Sequence, residues 1–283
     1  MFILAVKIVT DSTADLPQEL LDQHKIAMVP LTVRFGEKLF KDRVEISPGE
    51  FYDLLQKNSD IPVSTSQPPP MDFFDTYKEL AEEGHSIISI HISGDMSGTI
   101  QAAKLAKSML PEADIHIIDS RSVSVGLGLL VLTAARAAEE GKSVDEVLEL
   151  INYVLPKMKI YFVVDTLEYL AKGGRIGQAT AYMGSLLNIK PILAVYEGEV
   201  QPVERLRGRN KAVNRMVELV KEQTECRRCR CIVAHAGNPQ GLEDLLEKVR
   251  QNVKCEEILV SELGPVVGNH GGPGIVGLSF YTF

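Results

Sequence analysis

An alternation dominates the first half of this chain. Apolar runs of strand length are separated by stretches with helical periodicity. VKIVTDS, residues 6–12, is an apolar run that ends in Asp and Ser. Such a run suits a strand covered on both faces, which delivers polar groups only at its carboxyl tip. IAMVPLTVRF, HSIISIHIS and DIHIIDS read the same way. Between them lie four helical stretches: SPGEFYDLLQKN with Ser47 as N-cap, PMDFFDTYKELAEEG closed by Gly84, TIQAAKLAKSML, and VGLGLLVLTAARAAEEG. The repetition predicts a parallel sheet with helices on both faces, a fold that binds ligands at the carboxyl ends of its strands. Polar clusters stand at three of those tips, residues 10–13, 93–99 and 119–122.

After about Pro156 the pattern changes. KIYFVVDTLEYLAKGGRIG reads as a strand, a short helix and a glycine turn. NIKPILAVYEGEVQPVERLRG reads as a hairpin turned at Glu197-Gly198, and NKAVNRMVELVKEQ as a helix capped by Asn210. The strand CIVAHAG, the helix GLEDLLEKVRQNV, EEILVSEL and the closing IVGLSFYTF complete an α+β pattern. At 283 residues the chain exceeds the usual single-domain size. The expected fold class is therefore α/β in two domains: an N-terminal parallel-sheet domain over 1–157 and a C-terminal α+β domain over 158–283, packed closely around a shared cleft.

Composition narrows the function. The formal net charge of −8 argues against nucleic-acid binding by the whole surface. Arg205, Arg207, Arg209, Lys211 and Arg215 form a local basic cluster, read as a solvated face or as a docking surface for an acidic or phosphorylated partner. No apolar run reaches about 18 residues, so no stable membrane insertion is expected. The opening segment reads as a buried strand without a basic leader, which places the protein in the cytoplasm. Cys226, Cys229 and Cys231 invite a zinc reading, but only Cys255 could complete four sulfurs, and buried thiols are the expectation.

Nucleotide and metal motifs are missing. There is no phosphate-binding G-x-x-x-x-G-K-[ST], no G-x-G-x-x-G after the first strand, and no paired histidine spacing. Gly173-Gly174 more simply ends a helix. No catalytic residue, metal or cofactor is assigned, although a Ser97–His270 pair leaves an acyl hydrolase or acyltransferase as the alternative. What remains is a set of hydroxyls with one arginine and one histidine. Ser64-Thr65-Ser66-Gln67 precedes three prolines, which hold the backbone extended, and Ser97-Gly98-Thr99 opens a helix. His270 lies in GPVVGNHGGPGIVG, where six glycines and two prolines predict a bare turn aiming one imidazole. Hydroxyls, helix amides, a guanidinium and an imidazole together suit a carboxylate. Taken singly, Ser97 reads as a helix cap and Thr65 as a turn residue.

VTDSTADLP, STSQPPP, ISGDMSGTIQAA, IDSRSVSVGLG, LEYLAKGGRIG with LLNIKPIL, and GPVVGNHGGPGIVG resemble, in order, the motifs of the DegV family of bacterial fatty-acid-binding proteins. The resemblance runs from Lys7 to Phe283. It implies two domains with one long-chain fatty acid, such as palmitate, stearate or oleate, buried between them. By motif position Thr65, Ser97 and His270 resemble the family's carboxylate contacts, and Arg175 its arginine beside the carboxyl group, important for phosphoryl transfer. The resemblance further implies a separate fatty acid kinase subunit that phosphorylates the bound acid, a step of phospholipid metabolism. Ser93-Gly94, often two serines in the family, and Asn269, usually threonine, depart from the pattern. Burying a sixteen-carbon tail at about 0.8 kcal/mol per CH₂ supplies on the order of 10 kcal/mol before losses. Met96, Ile100, Leu127, Leu130, Leu167, Met183, Leu186 and Leu187 are the expected tunnel walls.

Overall fold

The computed structural model describes residues 5–58, 60–184, 189–225 and 227–283. Its first sheet is four-stranded and wholly parallel. Strand β1 (Val6–Asp11) lies between β2 (Ala27–Val29) and β6 (Ser86–His91), and β7 (Ile115–Asp119) pairs on the far side of β6. Helices α3 (Pro70–Glu82) and α4 (Thr99–Ser108) cover one face, packing Phe73, Tyr77, Ala103 and Ala106 against Val9, Ile87 and Ile115. Helix α5 (Val125–Glu139) covers the other with Leu127 and Leu130. Both faces are thus buried, which is why these strands read as apolar throughout rather than alternating. Short α1 (Gln18–Gln23) links β1 to β2, and α6 (Val144–Val154), a helix the sequence reading did not single out, packs on α5 behind a Ser143–Glu146 capping box.

IAMVPLTVRF is two strands and not one. It breaks at Pro30, whose missing N–H cannot continue a ladder. β3 (Thr32–Phe35) then enters a separate three-stranded antiparallel sheet with β4 (Lys38–Lys41) and β5 (Val63–Ser66). Helix α2 (Pro48–Lys57) starts at the expected cap, where the Ser47 hydroxyl accepts from the Glu50 amide and the Glu50 carboxylate accepts from the Ser47 amide.

The second domain is built on a six-stranded sheet ordered β10-β9-β8-β13-β11-β12. Its strands are β8 (Lys159–Val163), β9 (Ile189–Tyr196), β10 (Glu199–Arg207), β11 (Cys229–His235), β12 (Cys255–Glu262) and β13 (Val276–Thr282). Only β11 and β12 pair in parallel. Helices α8 (Arg209–Thr224) and α9 (Pro239–Asn252) bury one face. The other face turns toward α5, which packs on β11 and β13 as well as on β1. A helix apolar on every side needs such a position between two sheets.

The hairpin turns at Glu197-Gly198, both at positive φ (51° and 88°), and its tip docks on the first sheet's strand ends. The Ser93 hydroxyl donates to Gly198 O at 2.9 Å, and Arg121 donates to Glu197 O at 2.7 Å. Two expectations change in this half. Gly208 (φ 87°), not Asn210, precedes α8, because the chain passes directly from β10 into the helix two residues earlier. The glycine-rich segment around His270 is a helix, α10 (Pro265–Gly271), rather than a turn. The remaining helix, α7 (Glu168–Lys172), follows β8.

Part of the basic cluster is neutralised within the molecule. Arg215 is bound by Glu204, Glu218 and Glu222, Arg209 pairs with Asp165, and Arg205 lies 4.6 Å above the Tyr182 ring. Arg205, Arg207 and Lys211 stand exposed without an ion pair among the described residues. Cys226 lies outside the described residues. Cys229 and Cys231 are buried in β11, Cys229 Sγ is 3.5 Å from Cys255 Sγ, and no metal-holding group occurs among the described residues. Among those residues no helix is long and apolar enough to cross a membrane.

Candidate functional site

A cavity of about 300 Å³ lies between the inward face of the six-stranded sheet and the N-terminal half. Ile160 and Phe162 of β8, Val195 of β9, Val200 of β10 and Val125 at the start of α5 are among the apolar residues that line it. Thr13 and Ser124 supply hydroxyls to it, and a further polar group is held together by mutual contacts. Thr65, Gln67, Ser97, Arg175 and His270 all border the same cavity, so residues 205 positions apart in sequence share one mouth.

Each arrives on a different element. Thr65 sits on β5, paired with Val33, and the prolines that follow delay α3 until Pro70. Its hydroxyl is 2.7 Å from His270 Nε2. Ser97 precedes α4; its Oγ is 2.8 Å from Thr99 Oγ1 and accepts from the Thr99 amide at 3.3 Å. The N-cap of α4 is Gly98 and not Ser97, and Ser97 borders the cavity. Arg175 is exposed beside the mouth, its Nε donating to Met96 O (3.1 Å) and its Nη1 to Gly173 O (2.6 Å), so it ties the end of α7 to the loop before α4.

His270 is placed by α10, and that helix is anchored at its other end by two buried carboxylates. Asp15 Oδ1 accepts from the Gly264 amide at 2.7 Å, and Asp42 Oδ1 accepts from the Val266 amide at 3.4 Å. The Ser124 hydroxyl donates to Asp15 Oδ2 at 2.6 Å, and Arg43 lies 3.5 Å from Asp15 Oδ1. Burial pushes Asp15 up to about 6 against the pull of Arg43, and pushes Asp42 up to about 7. Neither aspartate was legible as part of the site from sequence, although Asp15 belongs to the TDSTAD tip. Tyr52 closes the anchor by donating to Leu263 O, and it lies so near Gly268 that a Cβ there would strike its hydroxyl.

The glycine pair after α7 divides two tasks. Gly174 takes the left-handed conformation (φ 69°), with Arg175 N donating to Leu170 O and Gly174 N to Ala171 O, a Schellman end. Gly173 instead clears space: a Cβ on it would overlap His270 Nδ1. That nitrogen is buried with no hydrogen-bond partner among the described residues. Burial, with a smaller push from the Arg175 guanidinium, lowers His270 to about 4, so the imidazole is neutral at pH 7.

This arrangement does not assemble a serine hydrolase. His270 Nε2 bonds Thr65 rather than Ser97, and no carboxylate meets Nδ1. A Ser89–His91–Asp11 series does exist, with Ser89 Oγ 2.6 Å from His91 Nε2 and His91 Nδ1 3.0 Å from Asp11 Oδ2. All three are wholly buried between sheet and helix, away from the cavity, where they satisfy one another and pin β1 to β6.

Of the expected tunnel walls among the described residues, only Met96 lines the cavity. Ile100, Leu127 and Leu130 are buried outside the cavity, Leu167 packs on the core without lining it, and Met183 is exposed. Leu186 and Leu187 lie outside the described residues. The walls come instead from β8, β9, β10 and α10, because the inward sheet face is left partly uncovered there.

The family model described as "Uncharacterised protein, DegV family COG1307" matches residues 5–282. A DegV domain-containing protein of Streptomyces coelicolor is 38% identical over 275 residues, which cover 96% of this chain and 97% of that protein. Among solved structures, a fatty-acid-binding DegV family protein from Thermus thermophilus superposes with a TM-score of 0.94 at 37% identity, covering 99% of this chain and 100% of the other. A stearic-acid-binding protein from Eubacterium ventriosum superposes with a TM-score of 0.91 at 29% identity, covering 98% of both chains.

Proposed function

Because this chain belongs to the DegV family, we propose that it binds one long-chain fatty acid in the cavity between its domains, which divide near residues 157 and 158. The tail lies along the apolar walls, and the carboxylate rests at the mouth with Thr65, Ser97 and His270. The observation that carries this reading is the make-up of the cavity: a largely apolar lining that also holds one contiguous group of hydroxyls, an imidazole and a guanidinium, with Thr65 bonded to His270 and Arg175 bonded to Met96 O beside Ser97. A charged head group cannot follow its tail into apolar surroundings without donors, so it stays where the donors are. The hydroxyls are prepared for it. With the proton of the neutral imidazole on Nε2 and Thr99 as donor, the Thr65 and Ser97 hydroxyls accept from those neighbours and turn their own protons to an incoming anion. Relatives of similar architecture are described as binding fatty acids, stearic acid among them.

In the fuller form of this reading the protein is a cytoplasmic carrier, not itself an enzyme, and it presents the acid to a separate fatty acid kinase. A carboxylate oxygen would attack the γ-phosphorus of ATP held by that partner, giving an acyl phosphate and ADP. Arg175, exposed at the mouth, is the cation placed to meet the charge that develops there. Mass spectrometry of lipid extracted from the purified protein tests the binding claim. The expected result is about one fatty acid of sixteen or eighteen carbons per chain. Protein that carries none and shows no affinity for palmitate or oleate refutes it.

A further inference from the structure

Resting on that reading, we infer that the side-chain amide of Gln67 is a further head-group donor, completing the carboxylate's hydrogen bonds where Thr65 and Ser97 leave off. The argument begins with lone pairs. An ionised carboxylate offers about four acceptor sites. The Thr65 and Ser97 hydroxyls have one proton each to give. The imidazole Nε2 is engaged with Thr65 at 2.7 Å, and the Arg175 Nε and Nη1 groups are committed to the carbonyls of Met96 and Gly173. Two hydroxyl protons do not fill those acceptor sites, and of the Arg175 guanidinium only the groups not bonded to Met96 O and Gly173 O are left to add to them.

Gln67 stands where they are lacking. It borders the cavity together with Thr65 and Ser97, two residues beyond Thr65 on the extended run that ends β5. Its amide makes no hydrogen bond to any described residue, so both N–H groups and the carbonyl remain available. The surroundings are shaped to hold it. The amide lies directly over Gly98, beside Ser97, and a Cβ on Gly98 would overlap its Oε1 and come within 2.9 Å of its Cδ. Gly98 is an ordinary αR-side residue (φ −73°), so its lack of a side chain answers a packing need and not a backbone one. The prolines that follow restrict Gln67's backbone to extended conformations, which limits where the amide can swing.

The test compares wild type, Gln67→Leu and Gln67→Glu after delipidation, with palmitate and hexadecanol as probes in calorimetric titrations. Palmitate affinity is expected to fall about ten-fold in Q67L, the scale of one hydrogen bond to a charged group. Q67E, which sets a second negative charge beside the first, is expected to lose more. Hexadecanol, with one neutral oxygen, is expected to lose much less in both variants. Equal palmitate affinity in wild type and Q67L overturns the inference, as does an equal loss for both probes, which would mark a packing role. A wild type that binds neither probe sinks the fatty-acid reading and this inference with it. A wild type that binds palmitate beside an unaffected Q67L sinks the inference alone.

Discussion

Replacing Asp42 by Asn should stabilise the protein at alkaline pH and flatten its stability against pH. Asp42 is fully buried, its Oδ2 has no hydrogen-bond partner among the described residues, and its Oδ1 holds the Val266 amide at the head of α10. Burial is the largest cause of its rise from 3.8 to about 7; the Ser12 hydroxyl opposes it, and the charge of Asp15 adds to it. The sign follows from proton counting. Between those two values the folded protein keeps a proton that the unfolded chain has released, so stability falls as pH rises through the window. The window spans about three pH units at about 1.4 kcal/mol each, giving on the order of 4 kcal/mol lost between pH 4 and pH 7, and constant above. Asparagine keeps an acceptor for Val266 and carries no charge at any pH. Urea denaturation at pH 5 and pH 8 measures the difference. Wild type should lose stability between the two, while D42N should lose markedly less and exceed wild type at pH 8. The residual slope belongs to Asp15, which burial raises to about 6. Parallel curves for the two proteins, or D42N destabilised equally at both pH values, would refute this account of the buried pair.

Two further substitutions probe the mouth. Gly173→Ala puts a Cβ where His270 Nδ1 now sits, so it should displace the imidazole and weaken palmitate binding by ten-fold or more, read by titration calorimetry. Arg175→Ala should keep the bound lipid, read by mass spectrometry, yet lose acyl-phosphate formation with the partner kinase; loss of the lipid itself would mean that Arg175 is a binding residue.

The site was legible in part. Apolar runs ending in hydroxyls and carboxylates marked the strand tips, and Thr65, Ser97, Arg175 and His270 do line one cavity. What failed was geometry around them. The segment holding His270 reads as a turn because glycine and proline disfavour helices. In the fold its amides are captured by Asp15 and Asp42, and Gly268 admits Tyr52, so seven residues become helical. Local propensity lost to tertiary hydrogen bonds. The tunnel walls failed for a related reason. Leu127 and Leu130 are as apolar as Phe162 or Val195, and only packing decides which apolar side chain meets another and which meets empty space.

By itself, the amino-acid order determined the parallel sheet, the change of pattern after Pro156, the hairpin at Glu197-Gly198 and the residue types at the mouth. Each follows from periodicity or from backbone preference, which act over a few neighbouring residues. Tertiary structure alone decided that Thr65 reaches His270, that Gly173 makes room for its ring, that the imidazole is neutral, and that two buried aspartates hold the helix beneath it. Those are relations between residues far apart in the chain, and burial and distance between such residues exist only once the chain has closed on itself.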